Sequence, residues 1–433
     1  MTSAPGCPAN GGHTSFGWAP SAPRSSGWSR AGRSAPGHAA RAAAVGLVFP
    51  TGRADEGMGD HGREIVGSTT GTGWCDSTGI GGDQGGSPLW AGVDRLAATA
   101  PTLGDLIAHR LHLVEARRLR RRGEPVPEEL SSAERGAALM RLGASAVLGR
   151  AREAYDGSLV LLKGPEVAAS YPDPGMRPFT DLDLLPENAD AAQAALVAAG
   201  FMPLSDASAY DELHHLAPLA LPGLPVIVEV HRTPKWLSWM TPPANEELFA
   251  AAVPSSTGAK GILGLRRDHH ALVLAAHSWS HNALGRILDM VDIAAVGLNE
   301  PAEHLEHLGR QWGMVRVWGS TVAVIDDLLL GYGGRSVALH TWARNLRAVR
   351  SRTVLGWHLE RWIGPYWGMG PVPATRQLIN AVWDDARPMP GETWGDKLVR
   401  SQLAIRHALR RRSQHDAEWG RIRQARTGDT TPE

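Results

Sequence analysis

The chain has 433 residues, 43% of them hydrophobic and 20% charged, which excludes a wholly disordered or collagen-like protein and leaves room for two or three domains. Lysine plus arginine equals aspartate plus glutamate at 44 each, and the pI is about 7.4, so no global field favours nucleic acid or an acidic partner. Two cysteines, Cys7 and Cys75, are too few for a disulfide-stapled secreted scaffold. The most apolar stretch, Leu213–Val230, is broken by Pro218, Pro222 and Pro225, short of the roughly 18–20 apolar residues of a membrane span. A cytoplasmic protein with no membrane partner is expected.

Twenty of the 50 glycines fall in the first 90 residues, mixed with Ser, Pro, Ala and Arg and without any helical or strand period. Such a segment cannot repay its ordering entropy, so residues 1–86 are expected to be a disordered tail. Order is expected from Ser87, with a helical cap over 87–156. Leu103, Leu106, Ile107, Leu111 and Val114 recur at three- and four-residue steps, the stripe of one amphipathic helix running into Arg117, Arg118, Arg120, Arg121 and Arg122. Ser131 with Glu134 reads as a capping box that opens a second helix over Ala133–Tyr155.

The period then shortens, and residues 157–245 read as a small mixed α/β unit. Ser158–Lys163 is an apolar strand ending at Gly164, and Pro165–Ser170 a short helix before the Pro172–Gly175 turn. Thr180–Leu185 alternates strictly as a second strand, and Ala189–Ala199 is an alanine-rich helix stopped by Gly200. Leu213–Leu221 and Val226–His231 flank Pro222-Gly223-Leu224 as a hairpin. Residues 246–433 read as helical almost throughout, with helices over His269–His281, Leu284–Val296, Val315–Leu330, Ala343–Leu359, Arg376–Trp383 and Trp394–Arg412. Nine of the 16 tryptophans lie after residue 310, where they would fill the seams of a bundle.

Chemistry concentrates in the strands. Asp181 and Asp183 lie two apart, so they share one strand face while Leu182 and Leu184 turn to the other. Two carboxylates that close repel, and a pair of magnesium ions resolves the repulsion in displacements at phosphorus. An Asp-x-Asp pair also holds metal-bound sugar nucleotides in glycosyltransferases. Lys163 and Gly164 end the first strand, where a lysine meets phosphate charge and a glycine lets backbone approach it. Arg177, just before the carboxylate strand, suits phosphate too. Glu229 and His231 share one face of the last strand, opposite Val228 and Val230, and a glutamate there needs a cation. His277 and His281 lie four apart on one helix face with Asp292 beyond them, which permits a metal pair, packing, or orientation of a bound molecule. His214 and His215 receive no role.

Leu161-Leu162-Lys163-Gly164, Tyr171-Pro172-Asp173, Arg177-Pro178, Thr180-Asp181-Leu182-Asp183-Leu184-Leu185 and Val228-Glu229-Val230-His231 stand in an order and spacing that resembles the bacterial nucleotidyltransferase-like family of the polymerase-β superfamily. His277, His281, Arg286 and Asp292 are similar to that family's helical segment. The resemblance implies transfer of a nucleoside monophosphate from an NTP to an acceptor, with two Mg2+ ions on three carboxylates: Asp181, Asp183 and Glu229. Lys163 and Gly164, with Arg177, would meet phosphate, and Lys163-Gly164 stands where most members carry Gly-Ser. His231, His277, His281 and Asp292 are accessory candidates. The expected fold is thus α/β (α+β), a small mixed-sheet nucleotidyltransferase core between N-terminal helices and a large helical C-terminal region. The expected acceptor is a peptide or small molecule rather than nucleic acid. A metal-dependent glycosyl- or phosphotransferase on the same carboxylates, or a non-catalytic nucleotide-binding protein, are the rival readings.

Overall fold

Strict alternation at Thr180–Leu185 makes the strand on which the sheet is hung. The computed structural model describes residues 87–210, 213–331, 362–389 and 391–407, all inside one unit spanning residues 68–433. The expected tail at 1–86 and helix at Ala343–Leu359 lie outside the described residues, as does the part of the Trp394–Arg412 helix beyond residue 407.

Four helices open the described chain: α1 (Pro88–Ala97), α2 (Leu103–Ala108), α3 (His112–Arg121) and α4 (Glu128–Ala154). The single helix expected from Leu103 onward is two. Thr102 caps α2 by accepting from the Asp105 N–H, and the chain then breaks at Arg110, whose φ is 56°. The Leu111 N–H closes the turn on the Leu106 carbonyl, so both leucines still enter the core while Ile107 is left 53% exposed. The Ser131 capping box also fails. Extended Pro127 starts α4 instead, and Glu128 and Glu129 in its first turn favour the helix dipole, so Ser131 falls inside the helix.

The sheet comes next: β1 (Leu159–Leu161), α5 (Pro165–Ala168), β2 (Asp181–Pro186), α6 (Ala189–Ala198), β3 (Met202–Pro203), β4 (Leu219–Ala220) and β5 (Ile227–Val230). Asn188 caps α6 through the Ala191 N–H. The expected hairpin forms, with β4 antiparallel to β5, but β4 is two residues long because prolines bound it. After α7 (Asn245–Ala250), the region expected to be helical holds two more strands, β6 (Ala252–Pro254) and β7 (Leu263–Leu265). They extend the sheet to seven strands in the order β3-β4-β5-β2-β1-β7-β6.

Strand β2 lies between antiparallel β1 and parallel β5. Each sheet face feeds its own core. Leu161, Leu182, Leu184, Val228 and Val230 pack with α4 and α6 residues such as Val147 and Leu196. Val160, Leu162 and Leu185 join α1 and the C-terminal helices. These are α8 (Arg267–Asn282), α9 (Ile287–Gly297), α10 (Ala302–Gln311) and α11 (Val315–Ile325), which runs into a π-helical turn at Asp326–Leu330. Helices α12 (Pro365–Gly368), α13 (Pro371–Ala386) and α14 (Trp394–His407) follow. The α9 helix starts at Ile287, later than expected, because Leu284 adopts a φ of 54°. Among the described residues no helix is long and apolar enough to cross a membrane.

Candidate active site

The parallel pairing of β2 with β5 sets Asp181 opposite Ile227, Leu182 opposite Val228 and Asp183 opposite Glu229. The same pleat that buries Leu182 and Val228 completely turns Asp183 and Glu229 together toward the α8 side. His231, just past β5, follows at the two-residue step. Oxygens of Asp183 and Glu229 and a ring nitrogen of His231 all lie within 4.8 Å of one another. His231 Nε2 is 3.0 Å from Asp183 Oδ1 and 3.7 Å from Glu229 Oε2. Asp181 is not in that set, but its charge acts on Glu229 and it feels that of Asp183.

Each acid is tuned differently. Burial would raise Asp183, but Lys163, with Nζ 3.7 Å away, and the His231 hydrogen bond outweigh it and hold the carboxyl well below its usual range. Asp181 is pushed up by burial and by Asp183. Glu229 rises to about 7, through burial first and then Asp183 and Asp181. Three carboxylates therefore crowd one corner with too little positive charge among them.

The cations come from the other side. Lys163 Nζ lies 2.5 Å from His277 Nε2, and Lys235 Nζ lies 2.9 Å from His281 Nε2. Four residues apart on α8, the two imidazole rings meet edge to face with centroids 4.6 Å from each other. Burial and Lys163 press His277 well below the usual histidine range, and burial with Lys235 takes His281 to about 3. Both are therefore neutral acceptors for lysine N–H groups and leave the two ammonium charges near the carboxylates. Lys235 itself is lowered to about 8 by burial and then by Lys163.

Gly164 sits where only glycine fits. Its φ is +64°, and a Cβ there would stand 3.0 Å from the Asp181 carbonyl oxygen. The turn around it is fastened from three directions. Arg177 Nη1 donates to the Gly164 carbonyl at 3.0 Å, and His270 Nε2 lies 2.7 Å from the Leu162 carbonyl. On α5, the buried Glu166 carboxylate accepts from the Ser255 hydroxyl and the Ser256 N–H. That contact explains Gly264 in β7, where a Cβ would meet Glu166 Oε1 at 2.3 Å.

Arg177 differs from the expected phosphate ligand. Its Nε and Nη2 grip Asp292 at 2.8 Å each, its third donor holds Gly164, and its side chain is 7% exposed. Tyr171 donates to the same Asp292 carboxylate at 2.5 Å. Arg177 and Asp292 thus brace the glycine turn. His277 and His281 stand beside lysines. Sequence reasoning missed Lys235 and also Arg110, whose positive charge acts on Asp181. Lys235 follows Pro234 in an irregular stretch, and Arg110 is revealed only by the helix break, so neither carried a periodic signal. His214 and His215, given no role, lie with ring centroids 5.4 and 5.6 Å from that of His231.

A family model described as an uncharacterised nucleotidyltransferase matches residues 103–329, over half of the chain. The chain belongs to this nucleotidyltransferase family. The match covers the glycine turn, the β2 carboxylates, β5 and the histidine-bearing face of α8, and it stops inside the π-helical turn. No curated protein and no solved structure matches the chain.

Proposed function

We propose that the protein transfers a nucleoside monophosphate from an NTP to a hydroxyl or similar nucleophile on a peptide or small molecule. The observation that carries this reading is the Asp183–Glu229 register. Residues 46 positions apart in sequence meet on one face of β2 and β5, beside a glycine turn and two lysines.

The residues fit a divalent cation. Two carboxylate oxygens and an imidazole nitrogen converge within 4.8 Å, and the raised Glu229 carboxyl marks negative charge that a cation would relieve. Asp181, Asp183 and Glu229 would hold Mg2+, two ions on this reading, which would supply phosphate charge neutralisation and a more acidic acceptor hydroxyl. The chain's own groups do the rest. Lys163 and Lys235 meet phosphate oxygens, each held in place by a neutral histidine of α8. The Gly164 turn offers backbone without a side chain, and its triple fastening removes the cost of ordering it during the reaction. Arg177 and Asp292 position that turn. Asp183, the most acidic of the three carboxyls, would stay ionised and would hold the cation together with Glu229.

Incubation with NTPs labelled at either the α- or the γ-phosphate, with pools of peptides and small molecules as acceptors, tests the reading. Transfer of the α-label with release of pyrophosphate, abolished in Asp183→Asn, is expected. Transfer of the γ-label would mean a phosphotransferase, a sugar label from UDP-sugars a glycosyltransferase, and nucleotide binding without transfer a non-catalytic protein.

A further inference from the structure

Magnesium chemistry leaves one member of the carboxylate corner unexplained. A site for Mg2+ alone needs oxygen donors, yet an imidazole stands in the middle of this one. His231 is 2% exposed, with Nε2 aimed at the two carboxylates. Its Nδ1 is buried with no hydrogen-bond partner, so both polar contacts of the ring fall on the carboxylate side. The neighbouring rings of His214 and His215 wall the ring in, which fixes the direction of Nε2.

We propose that His231 Nε2 is a direct ligand of the cation held by Asp183 and Glu229, and that this position therefore takes a first-row transition ion of the Mn2+ class in preference to Mg2+. The reasoning is one of donor chemistry. A mixed nitrogen and oxygen set favours ions that accept imidazole, whereas Mg2+ gives up water reluctantly and gains little from a nitrogen. As a ligand the neutral ring would present the Nε2 lone pair and carry its single proton on Nδ1, so that the contact of Nε2 with Asp183 is exchanged for one with the cation. The inference rests on the proposed function only for the location of the site, since a cation can bind there whether or not a nucleotide is transferred.

Pulsed electron paramagnetic resonance of the full chain with Mn2+ alone tests it. The wild-type spectrum is expected to show a directly bonded nitrogen that changes on isotopic labelling of histidine nitrogen. His231→Gln is expected to lose that nitrogen and to weaken Mn2+ binding by about tenfold or more, with Mg2+ binding changed much less. His214→Gln, by contrast, should keep it. A wild-type spectrum with no bonded nitrogen overturns the proposal, and it does so even where His231→Gln fails to fold. A nitrogen that survives in folded His231→Gln, or equal affinity of the wild type for Mn2+ and Mg2+, overturns it too. Absence of the α-label transfer with the nitrogen intact would contradict the proposed function and leave the ligand assignment standing.

Discussion

Two buried polar networks lie close together near β2, and their charge balance is opposite. In the brace, Arg177 makes a two-pronged contact with Asp292, Tyr171 adds a hydroxyl, and the third arginine donor goes to Gly164. Burial alone would lower the Arg177 pKa, but Asp292 outweighs it and lifts it above the ordinary arginine range. In the corner, Asp183 and Glu229 converge with Asp181 close enough to act on Glu229, which rises to about 7 through burial and its acidic neighbours. A closed network with every guanidinium nitrogen engaged fixes geometry. An open one that keeps unspent negative charge invites a cation. The same residue types thus serve structure in one place and chemistry in the other.

The sharpest way to break the comparison is to open the closed network. Arg177→Met strands a buried carboxylate, and the expected loss is about 3–5 kcal/mol, or roughly 6–20 °C in melting temperature. Pairing it with Asp292→Leu should recover at least half of the loss, because both charges then leave together. A fall of under about 2 °C for the single variant would show that the brace is dispensable. Gly164→Ala comes next: forcing a side chain into a φ of +64° should cost about 1–2 kcal/mol. Its effect on activity should be larger, about 100-fold in kcat/KM, since a displaced turn misplaces the donor. Equal, small effects on both would mean that the turn does not touch substrate.

The open network should answer in the other direction. In chelator, Glu229→Gln removes one of three crowded carboxylates, and melting should stay level or rise by a degree or two, while the stabilisation by added divalent cation is lost. A clear fall in chelator, with the cation effect retained, would move Glu229 out of the corner. Lys235 supplies the smallest effect and a pH signature. Its folded pKa of about 8 lies below the ordinary 10.5, so the folded protein carries a penalty for the charged lysine below pH 8 that fades as pH rises toward 10.5. Lys235→Met should therefore stabilise more at pH 7 than at pH 10.5, by about 1 kcal/mol after screening by solvent. A difference that does not change with pH would contradict that environment.

How much of this could be read from the chain follows from where the signals are periodic. Asp183, Glu229 and His231 sit in or beside strands whose apolar partners report the face, so their convergence follows once β2 pairs with β5. The sequence could not announce that pairing as parallel, because the short hairpin ties β5 to β4, and only the finished sheet brings β5 beside β2. Strands β6 and β7 escaped because each is three residues long, and Gly264 weakens the apolar pattern of β7 for the sake of Glu166. The break at Arg110 carries no glycine or proline, so the leucine stripe reads straight through it. The partner of Arg177 was hidden for a physical reason: a lone basic residue beside acids looks like a phosphate ligand, and only the folded chain brings Asp292, 115 positions away, against it.

The central claim is that β2 and β5 together form one cation site. Diffraction at the manganese edge from crystals grown with Mn2+ and a non-hydrolysable NTP tests it most directly. The account predicts an anomalous peak bonded to carboxylate oxygens of both Asp183 and Glu229, at metal–oxygen distances of about 2.1 Å, with the triphosphate lying toward Lys163 and Lys235. A nucleotide bound elsewhere, or a manganese peak that leaves either Asp183 or Glu229 uncoordinated, would contradict it.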